Sequence, residues 1–379
     1  MHYHLLIPKK YIEEGYINID HAWGGFDFFP FLIEYFAIIF LLFNIESGIQ
    51  FLNVFITLNI IFCIYNLGIL LRINIYQNLL AIIFFILIKN IIWLSGTSHN
   101  ELLLCFFYMS AFINLIKIFE NKNYLTLFSV ACVGMLYTKY LSLPLGLTFV
   151  PFIFYYFIIN KNSINLKKII ILVSPLLLFL PFLVRNYYLT SDPLYPLFEL
   201  SKLNNLGYSS SIVAFLKSPL DIFFFANKYF DGKQIGSPYL ICFFPLFFLF
   251  VKKYHFSNFL ILSIVIYYTL WFYLLGRQVR FLVPIFPLIS IISACGAINF
   301  INFCKNNYLK YLISLIIFIF FINQIFFLLA YSSIRIPSLF SFDHKVEYLN
   351  HSSVNHTTNY NACKFLENKL KKSESYISL

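Results

Sequence analysis

Residues 280–303 read RFLVPIFPLISIISACGAINFINF, and after Arg280 no charged residue follows until Lys305. A helix needs roughly 17–25 apolar residues to cross the hydrocarbon of a bilayer, and this run has that length. Similar runs lie at 50–71, 76–95, 101–118, 124–139, 141–159, 169–188, 238–251, 256–276 and 309–332. The whole chain agrees with them: of 379 residues 60% are hydrophobic and 11% charged, and the mean hydropathy is +0.78. A soluble domain carries about 25% charged residues, too many to be drawn from this composition. The expectation is an all-α polytopic membrane protein with about ten transmembrane helices.

A net charge of +11 in a soluble protein would point to nucleic acid. Here the lysines and arginines lie mostly in short connections between apolar runs, where they orient helices, so lipid is the expected partner and nucleic acid is not. Arg72, Lys117 with Lys122, Lys161 with Lys167 and Lys168, Lys252 with Lys253, and Lys305 with Lys310 fall on every second connection. The positive-inside rule makes those connections cytoplasmic. Trp93 and Trp271 then both fall near outer helix ends, as interface anchors do.

The segment Pro30–Asn44 is apolar too. As a helix its roughly 15 residues rise about 22 Å, short of a core about 30 Å thick. Counting it as a crossing would also put every lysine cluster outside. It is therefore read as a juxtamembrane helix on the outer surface. The runs 124–139 and 238–251 are nearly as short, but there the charge pattern demands a crossing. Residues 1–49, 186–237 and the tail from Tyr331 are then extracytoplasmic, as are both termini. An outer amino terminus predicts a further helix upstream of Met1.

Six cysteines (Cys63, Cys105, Cys132, Cys242, Cys295, Cys304) lie in or at the ends of apolar runs, and Cys363 lies in a polar segment. None has C-x-x-C spacing, so neither a zinc site nor a disulfide framework is indicated. The richness in Phe, Ile, Asn, Lys and Tyr reads as the imprint of an AT-rich genome.

Ionisable residues in or beside membrane helices are expensive and mark function by default. Several fall at the outer level: Glu34 in the juxtamembrane helix, His99 and Glu101 in SGTSHNELL, Lys139 in MLYTKYLSLP, Arg185 and Asn186 in FLVRNYYLTSDPLYPLF, and Arg277 and Arg280 in GRQVRFLVPIFPL. Each also has a plainer reading. Arg277 and Arg280 reach headgroups by snorkelling. Lys139 anchors an interface, Glu34 faces water, and Glu101 caps a helix dipole. Their shared depth favours one site. No metal is expected; His4, His99 and Glu101 form the one set worth considering.

These motifs, in order, resemble the bacterial GT-C fold glycosyltransferases, polyprenyl-phosphate-sugar-dependent enzymes related to protein mannosyltransferases and aminoarabinose transferases. YHLLIPKKYIEEG from Tyr3, with its Pro8-Lys9, and FDFFPFLIEYFAIIFLLF look like that family's first outer loop. The likeness continues through SHNELL, Thr138-Lys139, the run Arg185–Pro196, and Arg280 with Pro284 and Pro287, to the tail EYLNHSSVNHTTNYNACKFLENKL. It implies a GT-C-like membrane domain over 1–332, an extracytoplasmic tail over 333–379 that stops early, and a bacterial inner-membrane location. It implies transfer of a sugar from a polyprenyl-phosphate donor to a lipid or glycan acceptor at the extracytoplasmic face, with no cofactor beyond that co-substrate.

By the same resemblance Lys139, Arg277 and Arg280 would hold the lipid phosphate, and Arg185 and Lys9 would contribute to substrate binding. Glu101 and Glu34 would orient sugar or acceptor, and Tyr3 with His4 would border the reacting centre. Two departures stand out. By that likeness the family's leading Asp would fall before Met1, which leaves both an active and an inactive state open for the chain as given, and Glu101 stands where the family has Asp. An O-antigen-type polymerase and a membrane transporter are the alternatives. The first has a larger outer loop, and the second has charges near the midplane and repeated halves. The segment 186–237 is read as a cover over the site or a plain connector.

Overall fold

The computed structural model describes residues 3–16, 28–30, 32–45, 47–159, 166–197, 211–224, 244–249, 254–275 and 277–335. The chain divides into two compact units, Met1–Phe320 and Phe321–Leu379. Among the described residues there is no strand; the elements are helices and turns. They are α1 Tyr3–Glu14, α2 Leu32–Leu42, α3 Gly48–Leu70, α4 Ile75–Ile86, α5 Lys89–Ser95, α6 Glu101–Lys117 and α7 Tyr124–Thr138. Then follow α8 Ser142–Leu147, α9 Val150–Ile159, α10 Leu166–Thr190, α11 Ile212–Phe224, α12 Ser257–Leu274, α13 Phe286–Phe303 and α14 Asn307–Arg335. A 3₁₀ helix, Val279–Ile285, leads directly into α13.

Among the described residues six helices, counting α8 with α9 and the 3₁₀ helix with α13, are long and apolar enough to cross a bilayer; a bent pair makes a seventh. The chain is a polytopic membrane protein. The bent pair is the run read as a single span at 76–95. α4 and α5 meet at 66°, with Lys89 and Asn90 opening the second arm. The runs at 101–118 and 124–139 form the shorter helices α6 and α7, and most of 238–251 lies outside the described residues. α2 has 11 residues, a rise of about 16 Å, which is too short to cross and fits a juxtamembrane helix.

α13 is the centre of the bundle. Of its span 83% is buried, against 11% for α10. Ser290, Ser293, Ala294, Gly296 and Ala297 keep its surface narrow, which lets neighbouring helix backbones approach closely. Small residues act likewise elsewhere. A Cβ at Gly134 would fall 2.4 Å from the ring of Phe107, and one at Gly68 would fall 2.5 Å from the amide of Asn78. Both glycines are helical, so the demand is for space at the α7–α6 and α3–α4 crossings rather than for an unusual backbone.

Helix ends that the charge pattern assigns to one side do meet. Phe119 after α6 contacts Tyr156 near the end of α9 and Phe256 before α12. Gln77 at the start of α4 donates to Tyr254 Oη at 2.7 Å and to Asn299 Oδ1 at 3.1 Å near the end of α13, and Asn299 donates to the same Tyr254 hydroxyl. Burial at this junction pushes the Tyr254 phenol up to about 12, so it stays a neutral donor–acceptor. α4 begins cleanly because Asn74 and Gln77 form a capping box, with bonds of 2.8 and 3.1 Å.

Candidate functional site

The opposite helix ends gather the charged residues. Glu101 is the first residue of α6, with 1% of its surface exposed. A carboxylate taken out of water must be paired, and Lys139 Nζ donates to its Oε1 at 2.7 Å. Arg280 Nε lies 3.5 Å from the same oxygen, and His99 Nδ1 lies 3.9 Å from Oε2. Two cations around one carboxylate leave the group net positive. The helix dipole adds to the attraction, since Glu101 sits at the amino end of α6.

Local structure explains why these groups converge. Lys139 directly follows α7 in an extended conformation, with φ −166° and ψ 147°, which carries its side chain off the helix axis toward α6. Its ammonium also donates to Asn100 Oδ1 at 3.2 Å, while Asn100 Nδ2 donates to the Thr138 carbonyl at 3.2 Å. Asn100 thus binds both the helix end and the lysine. The turn before α6 is fixed from α3: buried Asn53 donates to the carbonyls of Thr97 and His99 at 2.7 and 2.9 Å. The His99 ring packs on Trp93, centroids 5.0 Å apart.

Arg280 lies in the 3₁₀ helix, which α12 holds by two hydrogen bonds. Trp271 Nε1 donates to the Gln278 carbonyl at 2.8 Å and Tyr267 Oη to the Phe281 carbonyl at 2.7 Å. The Phe281 ring lies under the lysine, 4.7 Å from Lys139 Nζ, and 5.6 Å from Arg280 Cζ. Cations near a ring face are attracted by its quadrupole, so one aromatic serves both. Arg280 Nε also donates to Gln278 Oε1 at 3.1 Å.

The other predicted residues are placed as follows. Glu34 is buried in α2 at 3% exposure, not facing water, and lies within electrostatic reach of Lys139. Arg277 turns toward α12: its Nε donates to the Phe272 carbonyl at 2.8 Å and its guanidinium lies over the Phe272 ring at 3.9 Å. Arg185 bonds the Asn186 side chain at 2.7 and 3.0 Å and lies over Phe182. Lys9 is exposed on α1. Tyr3 and His4 open α1, but their side chains lie outside the described residues. Among the described residues no three His, Cys, Asp or Glu side chains are placed to share a metal ion; the triple of His4, His99 and Glu101 falls outside that statement because of His4.

Two features were not legible in the sequence, the partners of Asn186 and an internal cavity. Asn186 is fully buried and donates to the carbonyls of Phe28 and Tyr195, at 3.0 and 3.3 Å, and to the Tyr140 hydroxyl. Tyr140 Oη lies 3.2 and 3.3 Å from the same two carbonyls, so Asn186 and the residue after Lys139 together tie the segment at 28–30 and the turn at 192–197 to α10. The pairing of Arg185 with Asn186 as a motif was the available signal, though nothing in it names Tyr140. The second feature is an apolar cavity of 530 Å³ between α7, α8, α10 and α12. Leu136, Ser142 and Leu275 on its wall stand within a few residues of Lys139 and Arg277. No charged residue lines it.

No protein-family model, curated protein or solved structure matches the chain.

Proposed function

We propose that the chain is a GT-C-like glycosyltransferase of ten crossings. It would move a sugar from a polyprenyl-phosphate donor to a lipid or glycan acceptor at the extracytoplasmic face of a bacterial inner membrane, with both termini on that face. The observation that carries this reading is the cluster of Lys139 and Arg280 around buried Glu101, where three helix ends meet. Such a cluster suits a phosphate: Arg supplies a planar fork of donors and Lys a point charge. The neighbouring apolar cavity suits a hydrocarbon chain attached to that phosphate.

In this reaction the acceptor hydroxyl oxygen forms a bond to the anomeric carbon. The bond from that carbon to the donor phosphate oxygen breaks, and its electron pair leaves on the phosphate. Lys139 and Arg280 stabilise the charge that develops there, the largest contribution such a site can make. Glu101 is committed to the two cations and acts as a positioning residue. Glu34 takes the hydroxyl proton as general base. Arg277 and Arg185, bonded to Phe272 and Asn186, brace the site's rim.

The test uses membranes containing the full chain, a radiolabelled polyprenyl-phosphate sugar and total membrane lipid as acceptor. Transfer of label to a new lipid or glycan product, lost in Arg280→Ala, which keeps the ion pair of Lys139 with Glu101, supports the proposal. Label that crosses sealed vesicles unchanged overturns it in favour of a transporter. Growth of a glycan from a diphosphate-linked donor instead identifies a polymerase.

A further inference from the structure

Helix α11, Ile212–Phe224, was read in the sequence as part of a cover or connector, and it has three distinct faces. With about 100° per residue, Phe215, Ser218 and Ile222 share one arc. This arc packs on α12: Phe215 contacts Tyr268, Phe272 and Tyr273, and the hydroxyls of Ser218 and Tyr268 are 2.7 Å apart. Ile212, Val213, Leu216 and Leu220 form the next arc, and Ile212, Leu216 and Leu220 are 71%, 68% and 53% exposed. Lys217 and Asp221 occupy the third arc between them.

We infer that α11 lies in the bilayer interface with its Ile212–Leu216–Leu220 ridge in contact with the acyl chains of the leaflet at the carboxyl end of α12. Depth decides the occupant. α12 is itself long and apolar enough to cross a bilayer, and Tyr268 lies six residues before its last residue, Leu274. Six residues rise about 9 Å, so the Ser218–Tyr268 bond holds α11 below the end of the span. An interfacial helix buries its apolar face about 5–10 Å into the headgroup and acyl boundary. One turn from Tyr268, Val265 of α12 is also 51% exposed, so α12 itself leaves apolar surface open near the level of that bond. Lys217 and Asp221 fall on the edge that meets headgroups and water, as the polar arc of such a helix must. The inference rests on the membrane reading and not on the proposed reaction.

The test places an environment-sensitive fluorescent amino acid singly at Leu216, Leu220 or Lys217 of the full chain. The protein is reconstituted in phosphatidylcholine–phosphatidylglycerol vesicles with acyl chains brominated near the headgroup. Bromolipid should quench probes at 216 and 220 about twofold or more over the probe at 217, which aqueous iodide should reach. A probe at Val213, on the same arc, gives an independent reading should one variant fail to fold. Iodide quenching at 216 and 220 equal to that at 217 overturns the inference, because the ridge would then face water. Quenching there by neither agent also overturns it, because protein would then cover the ridge, either from this chain or from a second copy.

Discussion

Lys139 Nζ donates to Glu101 Oε1 at 2.7 Å, joining the residue that follows α7 to the first residue of α6. Both helices are apolar, and the pair lies beside the tight crossing of Gly134 against Phe107. An ion pair this buried adds little over apolar packing, but removing one partner leaves the other charge stranded. The pair is therefore a constraint on which helix ends meet.

Glu101→Gln and Lys139→Met should each lower unfolding stability in detergent by about 3–5 kcal/mol. The double variant should lose less than the sum of the two, by at least about 0.5 kcal/mol, because neither charge is then left alone. Strict additivity in chemical denaturation would mean that the two do not interact.

Arg280 shares the carboxylate but is not its closest partner. Arg280→Ala should leave stability nearly intact and lower kcat/KM for the polyprenyl-phosphate sugar by about 100- to 1,000-fold. Arg280→Lys keeps the charge without the planar fork and should fall between the two. Unchanged turnover in Arg280→Ala would remove Arg280 from phosphate binding.

Gly134→Val should destabilise the protein by about 1–3 kcal/mol through overpacking against Phe107. Combining it with Phe107→Ala should recover part of that loss, since the ring is the group a new Cβ meets. Thermal unfolding of the two variants compares them directly.

Asn186→Leu removes donors from the Phe28 and Tyr195 carbonyls and from the Tyr140 hydroxyl. Tyr140 Oη lies 3.2 and 3.3 Å from the same two carbonyls and can serve one of them, so one buried acceptor is left unpaired, at a cost of about 1–3 kcal/mol. Faster deuterium uptake is expected at 28–30 and 192–197, with little change in α13. A uniform rise across the bundle would show global loosening instead.

The sidedness follows from the same alternation that orders the lysines. A cysteine at Lys122 should react with an impermeant maleimide only from the cytoplasmic side, and one at Asp192 only from the other. Reaction of both from the same side would overturn the crossing pattern.

Apolar run length and lysine spacing set the helical class and the level of each charge, because insertion into lipid depends on composition summed over a segment. Glu101, Lys139 and Arg280 could thus be placed at one depth from sequence. α10 and α13 show what composition leaves open: both are strongly apolar, yet one is 11% and the other 83% buried. Lipid tails are as apolar as a protein interior, so hydropathy carries no signal for which helix is central. Side-chain partners escaped for a related reason. Whether Arg277 meets Glu101 or turns to the Phe272 carbonyl depends on crossings set by small residues such as Gly134, and on how the turn at 97–100 is held by Asn53. The sequence determined that the charges share a level, and the tertiary packing decided which of them touch.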